Sequence, residues 1–296
     1  MMENEKLIKL LENTKFDAHR GESWKYPENS YSAIKAALLN PEVDAAEFDV
    51  KMTKDGKLVI RHDESMFTTS NSLKTVYGST LEELRKLKVT AHKVDYFLHL
   101  FQVLGDKNEE YGKHQMEILN ELYGKEDRII TLEELLQMAP NDKKLLLEVK
   151  GSDEFYKSDK YSKSILELVN AYSDKNIYIH GFDAKLMLWF LENAPKTTVG
   201  IALSKDLKNL DLPFNYVHFA LSRMEKQLPT IINALEKNPN RQFHFWKVDT
   251  KKELQLYKMF LQGMINHGLE SETSILTNDV TSAKILFKQQ IKALKK

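Results

Sequence analysis

Three carboxylates, two histidines and two cations stand in settings that favour chemistry over simple solvation. Glu47 and Asp49 are two residues apart in Ala45 to Val50, AAEFDV, an extended run in which alternate side chains share a face. Phe48 and Val50 then point the other way. Two carboxylates on one face repel each other unless a proton, an arginine or a cation separates them, and a hard divalent ion takes oxygen donors. Glu148 closes the apolar run of Lys143 to Lys150, KKLLLEVK, and offers a third carboxylate with Lys150 two residues on. Glu47, Asp49 and Glu148 are read as ligands of one divalent cation, Mg2+ or Ca2+, with Mn2+ also compatible, the alternative being paired ions or helix-loop salt bridges. His19 and Arg20 follow the short extended run Phe16 to Ala18, and His62 with Asp63 follows Leu58 to Ile60. An imidazole near its free pKa exchanges a proton near neutrality, so His19 and His62 form a candidate acid/base pair. Arg20 presents a planar fork suited to phosphate, and Lys150 a compact positive charge. A bound phosphate together with a cation satisfies both signs at once. Trp246, in FHFWKVD, is a candidate wall for a polyol or alkyl group, or a ring packed beneath a rim. His180 is a secondary candidate, while His92, His99, His114, His218, His244 and His267 read as structural or solvent-facing.

These groups need elements that bring them to one place. The turn Lys54-Asp55-Gly56 joins the run around Glu47 to the run ending at His62, forming a hairpin. Asn29 or Ser30 caps a helix over Tyr31 to Leu39, and Thr80-Leu81-Glu82-Glu83 and Thr131-Leu132-Glu133-Glu134 have capping-box spacing. Short apolar strands then alternate with amphipathic helices as far as Ser282 to Leu294, the pattern of a parallel sheet with helices outside. About eight such units predict a single α/β domain over residues 1–296, a TIM (β/α)8 barrel whose catalytic groups gather at the C-terminal ends of the strands. Gly21 stands alone after the first strand, which disfavours a dinucleotide fingerprint. Residues 88–127 break the rhythm and read as an insertion after the early hairpin. Its aromatic patch, Tyr96, Phe97, Leu98, Leu100 and Phe101, is a candidate cap for an acyl chain or a packing surface.

Composition narrows the function classes. The 296 residues hold 43 lysines and arginines against 43 aspartates and glutamates, so no global field attracts nucleic acid or an anionic membrane. Hydrophobic residues make up 42%, enough for a large core. Cysteine is absent, which excludes disulfides, thiolate nucleophiles and sulfur-ligated metals. The first residues form an amphipathic helix pattern, not a secretory signal, and no apolar stretch approaches the length of a membrane span. A cytoplasmic protein acting on a small molecule is the expectation, with the oligomeric state open. The lysine-rich end reads as a final barrel helix with a charged outer face.

The ordered motifs His19-Arg20-Gly21, Pro27-Glu28-Asn29-Ser30, Glu47-Phe48-Asp49-Val50, Thr53-Lys54-Asp55-Gly56, His62-Asp63, Thr131-Leu132-Glu133-Glu134 and Glu148-Val149-Lys150 resemble the glycerophosphodiester phosphodiesterase family. Weaker agreement continues through Trp246-Lys247-Val248 and Leu276-Thr277-Asn278, so the likeness spans nearly the whole chain. The resemblance implies a TIM-barrel hydrolase that cleaves a glycerophosphodiester into glycerol 3-phosphate and an alcohol with a divalent cation. By the family pattern Glu47, Asp49 and Glu148 match the metal ligands, His19 and His62 the acid/base pair, Arg20 the phosphate-binding arginine and Lys150 a second basic group. The chain departs from the pattern after His62-Asp63, where Glu64 to Asn71 replaces an Arg-Thr turn, and in the length of 88–127. These departures bear on the leaving alcohol. A lysophospholipid- or sphingolipid-cleaving enzyme of phospholipase D type and a catalytically inactive phosphate-binding barrel are the alternatives.

Overall fold

The computed structural model describes residues 2–92, 110–122, 124–151, 159–204 and 207–296. In chain order the strands are β1 (Lys15–Ala18), β2 (Ala45–Met52), β3 (Leu58–Ile60), β4 (Val89–Thr90), β5 (Glu126–Asp127), β6 (Lys144–Val149), β7 (Ile177–His180), β8 (Thr198–Leu203), β9 (Tyr216–Ala220), β10 (Gln242–Trp246) and β11 (Thr273–Thr277). β1, β2 and β6 to β11 run parallel, and β1 pairs with both β11 and β2 to close the cylinder. This is the TIM barrel expected from the alternation of strands and helices. β3 lies antiparallel on β2 outside the ring of staves, and β4 pairs with β5 in a separate ribbon. The connection from β8 to β9 carries a 3-10 turn, Lys208–Asp211, and no α-helix among its described residues.

Alternation along each stave sorts the side chains into two populations. Outward residues such as Phe48, Leu147, Ile179, Ile201, Phe219, Phe245 and Ile275 join the helix faces in one continuous apolar shell. Inside, Ala45, Leu146, Tyr178 and Tyr216 form a separate plug. Gly200 makes room for it, because a β-carbon there would stand 2.5 Å from Tyr216. Near the N-terminal ends of the staves the interior is polar and self-paired. His244 Nδ1 and Ser274 Oγ meet Asp17 Oδ2 at 2.8 and 2.5 Å, and Lys144 Nζ lies over the Tyr178 and Tyr216 rings.

Helix starts follow the local signals. Ser30, not Asn29, caps Tyr31–Leu39 by accepting from Ala33 N–H, and the capping boxes at Thr80 and Thr131 form with Glu83 and Glu134. A third box, Thr250 with Glu253, starts Lys251–Asn266. The opening helix Met2–Asn13 buries Leu7 and Leu11 and packs against Lys251–Asn266 and Val280–Leu294. Val280–Leu294 is the final barrel helix that the lysine-rich pattern suggested. Of 88–127, the ribbon β4–β5 and the helix Glu110–Leu122 are described; Tyr96, Phe97, Leu98, Leu100 and Phe101 lie outside the described residues. Among the described residues no helix is long and apolar enough to cross a membrane.

Candidate active site

Strand register assembles the acidic groups. Asp49 on β2 is level with Glu148 on β6, and Glu148 with His180 on β7, while Glu47 lies two residues below Asp49 on the same face. Glu47 and Asp49 are each 1% exposed. One oxygen each from Glu47 and Glu148 and a ring nitrogen of His180 lie within 4.8 Å of one another. Asp49 is engaged differently. Its Oδ1 meets Lys150 Nζ at 2.5 Å, and its Oδ2 accepts from Asn29 Nδ2 at 2.7 Å and lies 3.5 Å from Arg20 Nε. Lys150 also pairs closely with Glu148. Burial alone would raise the Asp49 carboxyl, but Lys150 and Arg20 outweigh it and hold it well below the usual range. Glu47 is pushed well above its usual range by burial and then by the charges of Asp49 and Glu148. Acidic groups thus exceed the basic ones at these strand tips. His180, 1% exposed, also leaves Nδ1 without a hydrogen-bond partner among the described residues. Two carboxylates and an imidazole at this spacing fit a divalent cation.

The loop after β1 turns sharply. Arg20 takes φ of +55° and Gly21 +79°. This conformation aims Arg20 N–H at Glu47 Oε2, 3.0 Å away, and lets Gly21 N–H donate to Glu47 C=O. A β-carbon on Gly21 would stand 2.6 Å from the Ala33 carbonyl, so the helix Tyr31–Leu39 can lie against the loop only because this residue is glycine. Arg20 donates to Glu28 Oε2 at 2.8 Å, which holds the fork in place. Burial would raise the Glu28 carboxyl, yet Arg20 and Arg61 together keep it below its usual range. Because Ser30 takes the helix cap, Asn29 at φ of +54° is left to reach Asp49.

Each candidate acid/base histidine has one nitrogen committed. The hairpin of β2 and β3 climbs past the rim and returns, with Arg61 N–H donating to Asp49 C=O at 2.8 Å, so His62 comes back to the level of the carboxylates. His62 Nδ1 bonds Asp63 Oδ1 at 2.8 Å. Asp63 is held in turn by Thr68 and by His92, at 2.8 and 3.3 Å, and bonds from His62, His92 and Thr68 keep its carboxyl far below the usual range. A carboxylate can only accept, so His62 Nδ1 carries the proton of that bond and Nε2 is the nitrogen not committed to Asp63. His19 is fixed by a longer chain. Asp249 accepts from Asn278 Nδ2 at 2.8 Å and from Asn278 N–H at 2.9 Å, which turns Asn278 Oδ1 toward His19 Nδ1, 2.7 Å away. An amide oxygen accepts, so His19 Nδ1 donates and Nε2 carries a lone pair. Burial, then the neighbouring Arg20, pushes His19 down to about 3, and its ring is neutral at ordinary pH.

Comparison with known proteins places this rim in a family. The chain matches the glycerophosphoryl diester phosphodiesterase family over residues 19–270. It belongs to that family. A glycerophosphodiester phosphodiesterase of Caldanaerobacter subterraneus subsp. tengcongensis is 38% identical over 99 residues, 31% of this chain and 40% of the relative. The chain thus spans less than half the length of the curated relatives it matches at the highest identity. A Bacillus subtilis (strain 168) protein aligns more widely, over 84% of this chain and 92% of its own length at 26% identity. The solved structure of an Oleispira antarctica phosphodiesterase in complex with the product sn-glycerol-3-phosphate superimposes with a TM-score of 0.63 at 19% identity, covering 92% of this chain and 96% of that one.

In this member of the phosphodiesterase family a cavity of about 610 Å³ opens beside His19, Arg20 and Glu28. Trp24, Trp246 and Lys247 wall it on the barrel side, and Leu119 and Leu122 of the helix Glu110–Leu122 reach it from above. Trp246 is a half-buried ring met edge-on by Phe182 at 6.1 Å. Of the residues singled out in the sequence, Glu47, Asp49, Glu148 and Lys150 meet on β2 and β6, and Arg20 and His19 adjoin them from the loop after β1. Trp246 stands on the cavity side. Asn278 and Asp249 were not picked out as a pair, since their bond joins the ends of two strands 29 residues apart. His180 was the secondary candidate, and its register with Glu148 brings it to the carboxylates.

Proposed function

We propose that this protein hydrolyses glycerophosphodiesters to glycerol 3-phosphate and an alcohol with the help of a divalent cation. The observation that carries the reading is the pair of histidines, each with Nδ1 committed to an acceptor and Nε2 left for chemistry, beside a cluster of buried carboxylates, Arg20 and Lys150, in a chain of this family. The Oleispira antarctica phosphodiesterase, solved in complex with the product sn-glycerol-3-phosphate, supports the choice of product. The carboxylates of Glu47, Asp49 and Glu148 are the proposed cation-binding group. Bound there, a divalent ion supplies positive charge to the phosphoryl oxygens and acidifies an attacking hydroxyl.

The chain's own residues account for the rest. Arg20, steadied by Glu28, and Lys150 balance negative charge developing on the phosphoryl group. His19 Nε2, with the ring neutral, takes the proton of the attacking oxygen, either of water or of the substrate's glycerol hydroxyl, whose attack expels the alcohol and leaves a cyclic phosphate that water then opens to glycerol 3-phosphate. His62, its Nδ1 proton held by Asp63, acts as the general acid in its imidazolium form and delivers the second proton, on Nε2, to the departing alkoxide. Trp246 and Trp24 wall the space into which the alcohol leaves. We also propose that 88–127 is an insertion in a single barrel domain, since β4 and β5 pair across its ends.

A parallel assay tests this reading on glycerophosphocholine, glycerophosphoethanolamine, glycerophosphoglycerol, glycerophosphoinositol and a lysophospholipid, with and without chelator. Release of glycerol 3-phosphate that stops on metal removal and returns with added cation is expected. Activity indifferent to complete chelation sinks the cation's role. Turnover confined to the lysophospholipid selects the lipid-cleaving alternative, and binding without turnover selects the inactive barrel.

A further inference from the structure

We propose that His180 is a nitrogen ligand of the divalent cation, and that this imidazole tilts the site toward Mn2+ over Mg2+ and Ca2+. The inference rests on the cation-binding reading above and adds to the carboxylate set. Three observations carry it. A ring nitrogen of His180 and one carboxylate oxygen each from Glu47 and Glu148 all lie within 4.8 Å of one another. His180 is 1% exposed and its Nδ1 has no hydrogen-bond partner among the described residues, an arrangement that ordinarily costs a folded protein stability. The ring is also held in one plane. His218 stacks on it at 3.6 Å between centroids and 3° between planes, and a β-carbon on the following Gly181 would stand 2.6 Å from Val149 C=O, so strand β7 is seated tightly against β6. His218 Nε2 is likewise unpartnered, but it does not belong to the carboxylate cluster.

The consequence is chemical. Carboxylate oxygens alone suit Mg2+, Ca2+ and Mn2+, whereas imidazole is a softer donor that favours transition ions. Among ions that carboxylates accept readily, Mn2+ gains most from a nitrogen. Asp49, already bonded to Lys150, Asn29 and Arg20, completes the acidic surroundings without altering that preference.

The experiment uses the full chain and Mn2+ as probe. Electron paramagnetic resonance counts the bound ion, electron spin echo modulation detects nitrogen-14 on it, and competition sets Mn2+ against Mg2+ and Ca2+. One bound Mn2+ with imidazole modulation, held at least about 10-fold tighter than Mg2+, is expected. In His180→Gln the modulation disappears and Mn2+ affinity falls about 10-fold or more, with circular dichroism unchanged. Should that variant not fold, His19→Gln and His62→Gln decide by elimination, because the signal must survive both. Mn2+ bound without nitrogen modulation, or modulation that persists in His180→Gln or vanishes in His19→Gln or His62→Gln, overturns the inference and leaves the carboxylate site standing. Failure of the chain to bind any of the three ions removes both.

Discussion

At the scale of single residues, the two catalytic candidates differ in what stands behind them. His62 leans on a carboxylate one residue away, whereas His19 depends on an amide whose direction is set by Asp249. Replacing either ring with alanine is expected to lower kcat by about 10²- to 10⁴-fold, the usual worth of a positioned acid or base. Asn278→Ala tests the longer chain. It leaves the His19 ring in place but frees its tautomer, so kcat falls on the order of 10- to 100-fold with a smaller change in KM, as orienting partners generally show. Steady-state kinetics on the purified variants measures both; full activity in Asn278→Ala would mean that the ring needs no such orientation.

At the scale of elements, the loop after β1 and the hairpin of β2 and β3 do the positioning. Gly21 must be glycine for two reasons, its φ of +79° and the Ala33 carbonyl beside it. Gly56 in the hairpin turn has the same φ, but a β-carbon there meets only the end of the Lys160 side chain, which can swing away. Gly21→Ala is therefore expected to destabilise the fold by about 2 kcal/mol or more, and Gly56→Ala by about 1 kcal/mol. Urea melts of the two variants give the comparison, and equal losses would show that the helix yields to the loop. Among the described residues the helix Glu110–Leu122 is tied down by a hydrogen bond from Tyr111 to Asp249 C=O and by an ion pair of His114 Nε2 with Asp279 at 3.3 Å. Those ties keep Leu119 and Leu122 over the cavity.

At the scale of the whole molecule, the barrel interior is full of neutral histidines. Burial and then the charge of Lys150 push His180 down to about 3, burial and nearby basic groups push His218 well below its usual value, and His244 is lowered although Asp17 partly opposes it. With His19 this makes four rings that the folded protein keeps uncharged. Below about pH 6.5 the unfolded chain takes up protons on these rings and the native state does not, so stability is fully present above that pH and declines as pH falls toward 3. Each ring contributes at most about 1.4 kcal/mol per pH unit. Glu47, raised in the folded state, works in the opposite direction, from its ordinary value of 4.5 upward. The difference between proteins isolates the imidazole effect. Thermal melts from pH 8 to 5 should fall less steeply for His218→Leu than for the parent chain; parallel curves would show that His218 titrates as it does in the unfolded chain.

Much of this arrangement was legible in the residue order because its signals are local. The period-two runs at Ala45 to Val50 and Lys143 to Lys150 put Glu47, Asp49 and Glu148 on inward faces, Lys54-Asp55-Gly56 turned the hairpin, and Thr131 with Glu134 opened a helix. A barrel then gathers strand ends at one rim by its topology alone. Tertiary structure decided the partnerships. Whether Asp49 faces a cation or Lys150, that Ser30 takes the cap and releases Asn29, and that Asn278 orients His19 all depend on shear between staves and on chain segments up to 259 residues apart. His180 shows the same division. Its strand was readable from Ile177-Tyr178-Ile179, but only the stagger of β7 against β6 sets an imidazole beside two acids, because register between distant strands follows from how the cylinder closes and not from neighbours in the chain.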